Sequence, residues 1–101
     1  MTTKFLNIKD YSELHTITPP KGADVYSYDD FTSFSIYKNQ IFVFYQRMLW
    51  IVAINKSNIT QSKITHVIRT DEKINDVVAN DQYIAILNRQ DLRVFRNIYG
   101  K

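Results

Sequence analysis

Residues 41–54 read Ile41-Phe42-Val43-Phe44-Tyr45-Gln46-Arg47-Met48-Leu49-Trp50-Ile51-Val52-Ala53-Ile54, an apolar run broken only at Gln46-Arg47. β-Branched and aromatic side chains suit the pleated surface of a strand. The two-residue polar break then marks a tight hairpin turn. As a helix the run is too short to cross a bilayer, which takes about 20 apolar residues, and it carries a charge near its centre. Ile41, Val43 and Tyr45 point to one face, Phe42 and Phe44 to the other. Leu49, Ile51 and Ala53 likewise oppose Trp50, Val52 and Ile54. Both faces are apolar, whereas an antiparallel hairpin in a small domain normally buries one face and wets the other. Each large side chain left in water forgoes about 1.5–3 kcal/mol. Three or four of them would be a large fraction of a stability of roughly 5–15 kcal/mol. The hairpin therefore needs a cover on each side: the N-terminal segment, the later strands, or another chain. The last would make it an interaction surface.

Outward from this hairpin, residues 34–37 and 83–87 also read as strands, with weaker strand signals at 25–28, 64–69, 74–79 and 92–95. Short polar breaks at Lys38-Asn39-Gln40 and Asn88-Arg89-Gln90-Asp91 suit hairpins and meanders. Near the N-terminus Phe5, Ile8, Tyr11 and Leu14 recur every third residue, which predicts a short helix or helical turn within residues 9–15. Phe5–Ile8 would also serve as an edge strand. Pro19-Pro20 and Gly22 end that segment.

An internal repeat organises the rest. Shifting the chain by 42 residues lays 24–54 over 66–96 without gaps: Val25 meets Val67, Asp29 meets Asp71, Gln40 meets Gln82, Arg47 meets Arg89 and Val52 meets Val94. Both copies run strand, acidic turn, strand, Asn/Asp-Gln turn, strand, Arg-containing turn, strand. The expected organisation is a single domain over 1–101, with motif 1 at about 24–54, a linker at 55–63 and motif 2 at about 64–98. A period near 42 with four short strands per unit resembles a β-propeller blade of the WD40 type, most closely over Ile74–Ile86. The signature Gly-His and Trp-Asp dipeptides are missing, and two units do not close a ring. The resemblance therefore implies strand order and no functional residues. In brevity, lack of cysteine and Ile/Tyr/Asn-rich usage, the chain is also similar to the small orphan proteins of filamentous viruses of hot-living archaea.

Composition excludes much chemistry. With no cysteine, disulfides, thiolate zinc sites, iron–sulfur clusters and cysteine nucleophiles fall away. Two glycines cannot form a phosphate-cradling loop, and no Gly-x-Ser-x-Gly elbow exists. His15 and His66 are the only histidines and have no ligand spacing. Paired carboxylates at Asp29-Asp30 and Asp71-Glu72 recur at the turn of each motif, where acidic side chains cap the following backbone. No catalytic residue, metal site or cofactor is expected. Met1-Thr2-Thr3-Lys4-Phe5 does not begin a signal peptide, so an intracellular protein is expected, in the host cytoplasm if viral.

The expected protein is thus mainly β: two copies of an approximately 42-residue antiparallel motif of three to four strands, with at most a short N-terminal helix. The expected function is non-enzymatic. An extended peptide, a partner strand or a second copy would enter an apolar groove between the motifs, with Phe44, Tyr45, Trp50 and Tyr83 as aromatic anchors. The alternative is nucleic-acid binding through Arg89, Arg93 and Arg96, since residues 87–101 hold these three and Lys101 against Asp91 alone. The formal charge of +3 is modest for that role.

Overall fold

A computed structural model describes residues 2–22 and 33–98; the strand expected at 25–28, the Asp29-Asp30 pair and Lys101 lie outside them. Among the described residues nine strands form three antiparallel sheets. β1 (Thr3–Leu6) and β2 (Glu13–Ile17) make an N-terminal hairpin. β3 (Ser33–Tyr37), β4 (Gln40–Tyr45), β5 (Met48–Ala53) and β6 (Lys63–Arg69) form a central sheet in chain order. β7 (Asp76–Ala79), β8 (Tyr83–Leu87) and β9 (Leu92–Arg96) form a C-terminal sheet. The only helical element among the described residues is a 3-10 turn at Ile59–Gln61.

The two-sided hairpin is β4–β5, and the chain itself supplies both covers. Val43, Tyr45, Met48, Trp50 and Val52 pack with Phe5 and Ile17 of the N-terminal hairpin. On the opposite face Phe42, Phe44, Leu49 and Ile51 pack against Ile74, Val77, Ile84 and Ile86. The central sheet is therefore the middle layer of three, and its apolar alternation on both faces follows from that position. Both β-turns flanking β4 are two residues long, and their first residues, Lys38 and Gln46, have φ of 51° and 54°. Primed hairpin turns demand this left-handed geometry, which a chain so poor in glycine must take with ordinary residues.

The pairing registers of the central sheet recur in the C-terminal sheet at an offset of 43 residues. Phe34↔Val43 and Ile36↔Ile41 become Val77↔Ile86 and Ala79↔Ile84. Phe44↔Leu49 and Phe42↔Ile51 become Leu87↔Leu92 and Ala85↔Val94. The N–H of Ile54 donates to the carbonyl of Asn39 at 2.7 Å, and that of Asn97 to Gln82 at 2.7 Å. The gap-free alignment at 42 is thus one residue short. One residue exchanges the two faces of every strand. The N-terminal hairpin shares a further feature with β5–β6: a register shift follows Phe5↔His15 in one and Ile51↔His66 in the other.

Two further expectations are corrected. Residues 9–15 form no helix. Asn7 Oδ1 accepts from the Lys9 N–H and Asp10 Oδ1 from the Ser12 N–H, and such Asx contacts turn the chain into a hairpin. The segment 55–63 does not separate the two motifs, because β6 pairs with β5 in the central sheet. Asn55 and Asn58 hold it in a compact loop by accepting from the Ser57, Asn58 and Thr60 N–H groups. The passage between sheets is residues 70–75, pinned beneath the β4–β5 turn. Thr70 and Ile74 N–H donate there to the carbonyls of Arg47 and Gln46 at 2.8 and 2.7 Å.

Candidate partner-binding groove

Three of the four expected anchors lie in the interior. Phe44, Tyr45 and Trp50 belong to the packed faces of the central sheet, with Trp50 only 2 % exposed. The same two-sided alternation that made them look adhesive arises because sheets lie on both sides of them. Tyr83 is exposed, on the face of the C-terminal sheet turned away from the core.

A groove does lie between the central and C-terminal sheets, at the rim where they differ in width. The central sheet has a fourth strand, β6; the described C-terminal sheet ends at β9. Ile68 of β6 therefore overhangs a gap instead of facing a strand. The resulting apolar cavity of about 380 Å³ is lined by Ile68, Ile84, Ile86, Phe95, Arg96 and Ile98. Phe95 and Ile98 are 50 % and 64 % exposed. None of Phe44, Tyr45, Trp50 and Tyr83 lines this cavity, and sequence reasoning did not single out as anchors the residues that do. The signal it lacked was the sheet to which β6 belongs.

Among the described residues no strand pairs with the outer edge of β9 beside this groove. Asn97 N–H bonds to Gln82 carbonyl, so in the alternating antiparallel ladder residues 93 and 95 also bond inward to β8. The N–H and carbonyl groups of Leu92 and Val94 and the Arg96 N–H point outward; the Arg96 carbonyl accepts from Ile98 N–H at 3.0 Å.

The three arginines of the alternative reading do not share one surface. Arg93 lies on the inward face of β9, where its guanidinium donates to Asp71 at 2.6 Å and to Asp91 at 3.2 Å. The hydrogen bond from Arg93 holds the Asp71 carboxyl below its ordinary value and raises the Arg93 pKa in turn. Arg96 lies on the opposite face, and Arg89 sits in the β8–β9 turn. Lys38 pairs with Asp81 at 2.8 Å, lowering the Asp81 pKa and raising that of Lys38, and this links the β3–β4 and β7–β8 turns. His15 Nε2 donates to the Ser62 carbonyl at 2.8 Å, which fastens the N-terminal hairpin to the β5–β6 loop. Among the described residues no group of His, Asp or Glu could hold a metal ion, and no helix is long and apolar enough to cross a membrane. Compared with known proteins, the chain matches no protein family, no curated protein and no solved structure.

Proposed function

We propose that the protein is a non-enzymatic interaction module that receives an extended peptide or partner strand along the free edge of β9, over the groove between its two larger sheets. The observation that carries this reading is the asymmetry of the rim. β5 has β6 beside it; β9, its counterpart at an offset of 43 residues, has no strand beside it among the described residues and borders an apolar slot. Strand addition uses main-chain hydrogen bonds for affinity and pockets for alternate side chains for specificity. An incoming strand antiparallel to β9 would bond to Leu92, Val94 and Arg96. Every second side chain would lie between Ile68 and Phe95 and would therefore be apolar.

The same equivalences support reading the sheets as successive units of a propeller-like stack. The N-terminal hairpin stands for the last two strands of one unit, the central sheet for a whole unit, and the C-terminal sheet for the first three strands of the next.

The test is an NMR titration with a peptide copying β6, Lys-Ile-Thr-His-Val-Ile-Arg, the strand that fills the equivalent place beside β5, together with a displayed library of alternating apolar peptides. Shifts of the Leu92, Val94 and Arg96 amides, abolished by Val94→Pro, support strand addition. Binding that leaves those amides unmoved, or no binding by either probe, refutes it.

A further inference from the structure

The C-terminal sheet has a second uncovered surface, distinct from the groove. Its outward face presents three rows across the strands: Asp76, Leu87, Leu92; then Val78, Ala85, Val94; then Tyr83 and Arg96. Val78, Tyr83, Leu87, Leu92 and Val94 are all large apolar side chains exposed to solvent. At an offset of 43 residues, Ala85, Leu87, Leu92 and Val94 correspond to Phe42, Phe44, Leu49 and Ile51, the face of the central sheet on which the C-terminal sheet lies. The exposed face is thus the counterpart of one that is covered by another sheet.

The pattern of this face specifies its own complement. Asp76 and Arg96 occupy diagonally opposite corners, with the apolar residues between them. We infer that a second copy of this chain docks here, outward face to outward face, about a two-fold axis lying in the interface, with the strands of the two sheets crossing near a right angle. Orthogonal crossing is one of the two ways in which sheets pack face to face. A two-fold along the other diagonal sets Asp76 of each copy against Arg96 of its mate. It also sets Leu87 against Val94 and Val78 against Tyr83, while Leu92 and Ala85 meet their own counterparts. Every apolar position then meets an apolar one, and both charges are matched. By contrast, the outward face of the N-terminal hairpin carries Lys4 and Glu13, paired at 3.8 Å, and matches the apolar rows poorly. The two-fold contact between like faces is therefore preferred to head-to-tail stacking. Three short strands offer less than the roughly 800 Å² per partner of a standard interface, so the dimer is a weak one that forms as concentration rises.

Sedimentation velocity of the 101-residue chain over a wide dilution series tests this. The expected result is a concentration-dependent dimer whose association constant falls about tenfold or more in Leu87→Glu. Asp76→Arg and Arg96→Asp should each weaken it, and the two together should restore it, because the diagonal pairs re-form with exchanged signs. Amide spectra establish that each variant is folded. A monomer at the highest concentration reached, a dimer indifferent to Leu87→Glu, or single charge reversals that the double reversal does not rescue would each overturn the inference. Leu92, Val94 and Arg96 belong to both surfaces, so the β6-peptide titration is run below the concentration at which the dimer forms, and Leu87→Glu, which is not on the β9 edge, should leave it unchanged.

Discussion

The central and C-terminal sheets share one set of registers and have opposite surroundings. Leu49 and Leu92 occupy the same place, opposite Phe44 and Leu87 respectively, yet Leu49 is wholly buried and Leu92 is 59 % exposed. Position in the pleat decides which way a side chain points; the neighbouring layer decides whether that direction is dry. The side chains differ accordingly. Phe42 and Phe44 face a covering sheet, and their counterparts Ala85 and Leu87, which face outward, are smaller. The sharpest test compares the two leucines. Leu49→Ala should cost about 2–5 kcal/mol, the range for truncating a buried leucine. Leu92→Ala should change stability by no more than about 0.5 kcal/mol in dilute solution, as surface changes do. Urea denaturation of the two variants reads both. Equal losses would mean that the outward face is covered even in the dilute monomer.

The next effect concerns Asn97, a buried polar residue at which the two sheets differ. Ile54 and Asn97 directly follow β5 and β9 with matching backbone bonds, but Asn97 is buried and its Nδ2 donates to the Asn80 carbonyl at 2.8 Å and to Gln40 Oε1 at 3.4 Å. Asn97→Ile would make the two sheets alike at this point. It should nonetheless destabilise by about 1–3 kcal/mol, because buried acceptors lose their donor. A neutral or stabilising result would show that the side-chain network adds nothing to packing there.

Much of the strand order was legible because the turns are written in the sequence. Lys38-Asn39 and Gln46-Arg47 interrupt runs of β-branched and aromatic residues, and these breaks are the turns observed. The register was not legible, for a physical reason. A strand that is apolar on both faces carries no alternation to distinguish an offset of 42 from 43. The match of Arg47 with Arg89 lies in turns, outside the packed faces that fix the register. The same ambiguity misplaced the site, since Phe44, Tyr45 and Trp50 signal a sticky surface only if no sheet lies over them. Near the N-terminus, the three-residue spacing of Phe5, Ile8, Tyr11 and Leu14 imitated a helix face. In the folded chain Phe5 turns inward while the other three are exposed.

The two edges sharpen the comparison next. Both outer strands carry charges of the kind that blunt an edge, Lys63 and Arg69 on β6 and Arg93 and Arg96 on β9, but the outward-bonding positions of β9 include the apolar Leu92 and Val94. Proline separates the two sides of β9 without reference to any partner. Val94→Pro removes an outward N–H and should leave the fold intact, as proline is tolerated on an edge strand with its N–H side toward solvent. Phe95→Pro removes an inward bond to Ile84 and should unfold the C-terminal sheet. Amide spectra distinguish the outcomes. If both variants unfold, the edge is not free.

The smallest effect is expected from the charges that tie the two sheets together. Lys38 and Asp81 are counterparts at an offset of 43 residues, one in each sheet's first turn, and they pair with each other; Arg93 likewise reaches back to Asp71 in the passage between sheets. Hydrogen bonds from Arg93 and Lys38 hold Asp71 and Asp81 below the ordinary carboxylate value of 3.8. A carboxyl whose pKa is lower in the folded than in the unfolded chain contributes its stability above the unfolded value and loses it as pH falls through the folded one. The contribution is therefore complete at neutral pH and fades below about 3.8. The raised pKa of Lys38 removes its share only as pH climbs through a folded value above 10.5. All four groups are at or near the surface, where salt screens such pairs, so the effect is slight and shrinks at high ionic strength. Asp71→Asn with Asp81→Asn should flatten the acid limb of a urea-midpoint profile against pH relative to the unaltered chain, at low salt only. Identical acid limbs would mean that the two sheets are held by their apolar contact alone, and that the matched turns meet without gain.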